Sequence, residues 1–130
     1  MREHDARIRA SIDRFRGREV ASTGDGFLAV FDGAAKALRA AASMDPAVAE
    51  LGLRVRVGLH TSEIEMAGGQ VRGIGVHAAA RVAALAGPGE VLVTGTTREL
   101  IDGTDFPLDL RGEYELKGLT GPRKIFALRR

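Results

Sequence analysis

Cysteine and tryptophan are absent from this chain of 130 residues, and its aromatic side chains are five phenylalanines and one tyrosine. Without cysteine there is no disulfide framework. Few aromatics leave little surface on which a ligand's rings could stack. No apolar run approaches the roughly 20 residues of a membrane-spanning helix, and Met1 is followed by charge rather than by a signal peptide. The expected setting is therefore cytoplasmic, with no membrane partner. What is present instead is small and aliphatic: 45% of residues are hydrophobic, and many of them are alanine. That composition excludes a disordered or collagen-like chain and suits helices packed close against a sheet. The length fits one domain over residues 1–130, with a core that buries roughly two-thirds of the unfolded surface.

The sequence pI of 9.5 does not signal a nucleic-acid partner. Lys and Arg exceed Asp and Glu by only 19 to 17. The arginines crowded into the first 18 residues are interrupted by Glu3, Asp5 and Asp13, which reads as a mixed solvated face.

Ile8, Ile12 and Phe15 recur at helical spacing over residues 3–15, with Gly17 placed to end that helix. Residues 18–31 carry two strand-like runs around Gly24-Asp25-Gly26, the signature of a β-hairpin with Asp25 at its tip. Asp32 is placed to cap a helix through Ala35, Leu38 and Ala42, and Pro46 to kink it or to open a new turn. Residues 53–60 alternate strictly and predict a strand, with Leu53, Val55, Val57 and Leu59 on one face and Arg54, Arg56, Gly58 and His60 on the other. A Gly-rich loop at 68–75 then leads to an Ala-rich helix over 75–86, stopped by Gly87-Pro88-Gly89. Residues 90–94 form a short strand. Thr96 and Glu99 suggest a capping box for a brief helix ending at Gly103. Strands over 106–116 and 123–129 complete an α+β order whose first half is a ferredoxin-like βαββαβ unit lacking its opening strand.

Few residues in this pattern could carry chemistry. Asp25, between two glycines at a hairpin tip, is open to close approach by a ligand, although turn tips favour Asp for local reasons too. His77 and Arg81 lie four apart on one helical face, beside an apolar stripe of Val76, Ala79, Ala80 and Ala83. A guanidinium with its rigid donor fork suits phosphate charge. Gly73-x-Gly75-x-x-Ala78 imitates a dinucleotide fingerprint, but no clear strand leads into it and no acid ends the strand that follows. The run Thr23–Leu28 imitates an RNA-binding strand, yet it places Asp25 where a stacking aromatic is needed.

Together the stretches GREVASTGDGFLAVFDG, RVRVGLHTSE, RGIGVHAAARVAALAGPGEVLVTG and RGEYELKG resemble the class III nucleotidyl cyclase catalytic domain, in its divergent bacterial form. The resemblance implies conversion of a nucleoside triphosphate, ATP before GTP, to a 3′,5′-cyclic nucleotide and pyrophosphate. It implies Mg or Mn ions held by two Asp carboxylates, and a head-to-tail homodimer or a partner domain that completes each active site. Position by position, Asp25 matches the second metal Asp, Arg81 the arginine that stabilises the pentavalent phosphorus, and His77 the residue that positions the ribose. Lys117 matches the phosphate-contacting lysine. Gln70 and Ala21 stand where the family has its base-selecting Asp and Lys, and Gln can pair with either purine. The family's first strand, with the first metal Asp, falls before residue 1. The expectation is an N-terminally incomplete cyclase domain, inactive or weakly active alone, or else a non-catalytic module that pairs through exposed strand edges.

Overall fold

The computed structural model describes residues 2–23, 26–63, 65–67, 70–101 and 106–129. The chain divides into two compact units, Met1–Val55 and Arg56–Arg130.

In the first unit, helix α1 (Arg2–Arg14) and helix α2 (Ala34–Ala49) flank a hairpin of β1 (Arg18–Thr23) and β2 (Gly26–Val30). Ile8 and Ile12 of α1 are buried, as are Leu38, Ala40, Ala41 and Val48 of α2. The two alanines leave no bulk between the helices, so their backbones can approach closely. Arg7 reinforces the contact. Its Nη1 donates to the Ala47 carbonyl at 2.8 Å and to Glu50 Oε2 at 2.9 Å, which satisfies part of the open end of α2.

The end of α1 differs from the sequence reading. The Gly17 amide donates to the Ile12 carbonyl at 2.8 Å and the Arg16 amide to the Asp13 carbonyl at 3.0 Å, the paired bonds of a Schellman cap. The left-handed residue of that cap is Arg16, at φ 62°. Gly17 is required for another reason: a Cβ there would lie 2.4 Å from the Phe31 ring. The hairpin forms as expected, from Arg18↔Val30 to Thr23↔Gly26, with a bulge between Glu19 and Ala21. Its connection, including Asp25, lies outside the described residues.

Asp32 does not cap α2. The N-cap is Gly33, with no side-chain hydrogen bond, and the helix runs through Pro46. Asp45, just before the proline, is 6% exposed. Its Oδ1 accepts the Val55 amide at 3.0 Å, and its Oδ2 accepts Arg54 Nε at 3.0 Å. This bond shortens the strand expected over 53–60. The Val55 amide is committed to a carboxylate, and sheet pairing begins only at Val57, whose amide donates to the Glu90 main-chain carbonyl at 3.1 Å.

The second unit carries β3 (Val57–Leu59), β4 (Glu65–Ala67), β5 (Gln70–Arg72), helix α3 (Ile74–Leu85), β6 (Val91–Thr94), helix α4 (Gly95–Leu100), β7 (Leu108–Glu115) and β8 (Pro122–Leu128). Four strands form a mixed sheet in the order β3-β6-β8-β7, with β3 parallel to β6 and the other pairs antiparallel. Val82, Ala86, Leu92, Leu116 and Ile125 form its buried core. At Gly58 the α3 main chain lies directly on β3, because a Cβ there would be 2.2 Å from the Ala83 nitrogen.

Two expectations fail in this unit. The loop read over 68–75 is in part a second hairpin, in which Glu65↔Arg72, Met66↔Val71 and Ala67↔Gln70 pair, and α3 already begins at Ile74. The cap of α4 is Thr94, not Thr96. Its hydroxyl accepts from the Thr97 amide, so the helix starts directly off the strand end. Arg98 over the Phe126 ring, at 4.8 Å, seats α4 on β8. In β7 a bulge between Leu110 and Gly112 takes Arg111 out of the pairing. Arg111 Nε instead donates to Glu90 Oε2 at 2.8 Å, while Glu90 Oε1 accepts the Gly87 amide at 2.8 Å. That carboxyl is held below its ordinary range, first by Arg111 and then by the Gly87 amide.

Two substitutions test these constraints by urea denaturation. Gly58→Ala drives a Cβ into helix backbone that cannot rotate aside, and should cost about 3 kcal/mol. Arg16→Gly relieves a left-handed residue without losing either cap bond, and should gain about 1 kcal/mol.

Candidate active site

Helix α3 turns a buried line of Gly75, Ala78 and Val82 toward the sheet and leaves His77, Ala80, Arg81 and Ala84 exposed. The apolar stripe is thus rotated from the one expected: Val76, Ala79 and Ala83 are only half-buried and Ala80 is open. His77 and Arg81 stand one turn apart on the open face. Among the described residues neither makes a hydrogen bond or an ion pair. The alanines beside them add no bulk, so a ligand can reach both side chains.

The other expected site residues lie elsewhere. Lys117 is exposed in the turn between β7 and β8. Gln70 opens β5 opposite Ala67. No hydrogen bond or ion pair joins Lys117 to His77 or Arg81 among the described residues. Asp25 falls outside those residues.

A second polar cluster had no clear sequence signal. His60, read as one of several residues on a polar strand face, is half-buried at the end of β3, with Nδ1 2.8 Å from Thr94 Oγ1. Thr94 Oγ1 lies 3.2 Å from Thr97 Oγ1, which lies 2.9 Å from Thr61 Oγ1. These hydroxyls are spread over residues 61–97, and only the pairing of β3 with β6 brings them together. The ring also lies under the first turn of α3: a Cβ on Gly75 would be 3.5 Å from His60 Cδ2 and would overlap Ser62 Oγ. Burial, and next the charge of Arg123, push the His60 pKa below its ordinary value of 6.5.

Residues 1–130 match the family described as adenylate and guanylate cyclase catalytic domain. The chain belongs to that family. The cyclase domain is 32% identical over 120 residues to a Rhizobium meliloti protein provisionally named adenylate cyclase 3, covering 85% of this chain and 20% of that protein. It is 30% identical over 128 residues to an uncharacterised protein of Mycobacterium tuberculosis, covering 97% of this chain and 33% of that one. The chain thus spans a third or less of the length of these two relatives. A crystal structure of an adenylate/guanylate cyclase/hydrolase from Silicibacter pomeroyi superposes with a TM-score of 0.84 at 28% identity, covering 93% of this chain and 77% of that one. An adenylate cyclase structure from Trypanosoma brucei, at 23% identity and a TM-score of 0.83 over 96% of this chain and 76% of that one, shares the fold. The α+β cyclase architecture expected from the motifs is the one found, and no helix among the described residues is long and apolar enough to cross a membrane.

The low His60 pKa sets a sign for acid stability. The unfolded chain takes up this proton before the folded one, so the contribution is present above about pH 6.5 and is lost as pH falls through the folded value. Denaturation midpoints at pH 7.5 and pH 5 should therefore differ more in the native chain than in His60→Gln. The His60 ring resonances should titrate below pH 6.5.

Proposed function

We propose that this cyclase domain binds a nucleoside triphosphate, ATP in preference to GTP, and belongs to machinery that forms a 3′,5′-cyclic nucleotide and pyrophosphate. The exposed His77–Arg81 pair on α3, without hydrogen bond or ion pair among the described residues, carries this reading. A guanidinium without a partner among the described residues can turn its donors to the charge that builds on a phosphoryl group during transfer. In this reading Arg81 stabilises the reacting phosphorus, His77 positions the ribose, Lys117 meets the phosphates and Gln70 faces the purine. Head-to-tail pairing of two copies, or pairing with a partner domain, assembles the site.

Magnesium or manganese fits the residues present only in part. Asp25 is the candidate ligand, and among the described residues no three or more His, Cys, Asp or Glu side chains cluster to hold an ion. One carboxylate provides a fraction of the oxygen ligands that Mg²⁺ demands. In this reading the activity of the isolated chain is low or nil.

A second reading is supported by the β1–β2 hairpin, which forms a two-stranded sheet of its own among the described strands. Its outer edges offer main-chain groups for pairing, as a non-catalytic dimerisation module would.

Calorimetry with ATP and Mn²⁺ separates the two. The nucleotide reading expects saturable ATP binding that Arg81→Ala weakens by about tenfold, the loss of one charge-assisted hydrogen bond. Because Arg81 is exposed and has no partner among the described residues, that variant should keep its stability within about 0.5 kcal/mol. No ATP binding, together with a stable dimer in sedimentation, would favour the pairing module. Rapid cyclic AMP formation abolished by Asp25→Ala would overturn the low activity assigned to the isolated chain.

A further inference from the structure

A cavity of about 90 Å³ opens where β3, β6 and β8 end beside α4, lined by His60, Thr94, Thr96, Leu119, Arg123 and Lys124. Among the described residues no Asp or Glu lines it. The volume is far below the roughly 300 Å³ at which drug-sized ligand pockets begin, so a whole nucleotide does not fit and a small ion does.

The charges around this cavity are unbalanced. In the pairing of β7 with β8, Lys124 stands opposite Glu113, whereas Arg123 stands opposite Tyr114. Lys124 therefore has an acidic cross-strand neighbour and Arg123 has none. Arg123 Nε donates to the Thr120 carbonyl at 3.3 Å, which steadies the guanidinium and leaves both terminal nitrogens without a partner among the described residues. His60 is fixed through Nδ1 to Thr94 Oγ1, so its Nε2 is likewise unpartnered among the described residues. Two half-buried cationic or proton-bearing groups thus share one small cavity with hydroxyls and, among the described residues, with no acid.

We propose that this cavity is a binding site for one phosphate-type oxyanion, held by the terminal nitrogens of Arg123 and by Nε2 of His60. The guanidinium supplies the charge and a two-pronged donor set. Thr96, exposed, adds a hydroxyl to the lining, and Leu119 forms an apolar part of the wall. The charge of Arg123 already bears on the His60 ring and favours its neutral form. A bound anion reverses that balance, so binding and protonation of His60 reinforce each other. The site shares no residue with the His77–Arg81 face and stands whether or not this domain turns over a nucleotide.

The test is an NMR titration of the 130-residue chain with inorganic phosphate and, separately, with pyrophosphate, at constant ionic strength. His4, His60 and His77 serve as the side-chain reporters. The expected result is a saturable shift of the His60 ring resonances and a higher titration midpoint for His60, with His4 unmoved. Response to inorganic phosphate identifies a free oxyanion as the ligand, and response to pyrophosphate alone identifies the phosphate tail of a larger molecule. Arg123→Gln should weaken binding at least tenfold, and Lys124→Gln less than threefold. The proposal is overturned if neither anion moves His60 or if Arg123→Gln binds as tightly as the native chain. It is also overturned if Arg81→Ala abolishes the response, since the signal would then belong to the nucleotide face.

Discussion

Helix α3 rests on β3 with nothing between their backbones, and the second unit is organised around that contact. Gly58 makes it possible, because any side chain there would meet the main chain of Ala83. The alanines of α3 then let the helix follow the sheet closely, with Ala78 and Val82 buried beneath it. This contact also settles which face of α3 is left over. With Gly75, Ala78 and Val82 turned inward, His77 and Arg81 can only be outside. A composition poor in aromatics and rich in alanine is what such a direct contact requires.

The polar interactions then fix how the remaining segments end. Asp45 withdraws the Val55 amide from the sheet and so sets where β3 begins. Thr94 finishes β6 and caps α4 with one hydroxyl, and the same oxygen orients the His60 ring. Arg111, freed from pairing by a bulge, reaches back to the turn through Glu90. Each is a small energy taken alone, but each replaces solvent for a group that would otherwise be left unpaired near the core. The result is a second unit in which two separate cationic surfaces, the α3 face and the Arg123 cavity, are held on rigid elements.

Much of this was legible in the residues. Local signals settle the helices, the first hairpin and the last strands, because the periodicity of apolar residues and the turn chemistry act over a few positions. His77 and Arg81 could be paired from their spacing of four alone. The β4–β5 hairpin escaped because its strands hold three residues each, too few for alternation to stand out, although Gly68-Gly69 between them is a hairpin signal. Strand 53–60 was read too long because its alternation is real in the burial of residues 53–56, while backbone pairing is decided by Asp45 and by the short partner β6.

The sequence by itself determined the family and, apart from the β4–β5 hairpin, the order of elements, since each rests on residues near one another along the chain. Only the tertiary structure decided the partners of Asp45 and His60 and, among the described residues, the lack of an acid beside Arg123. Those depend on which distant segments the sheet brings side by side, and a hydrogen bond between residues 60 and 94 leaves no trace in the order of the residues around either one.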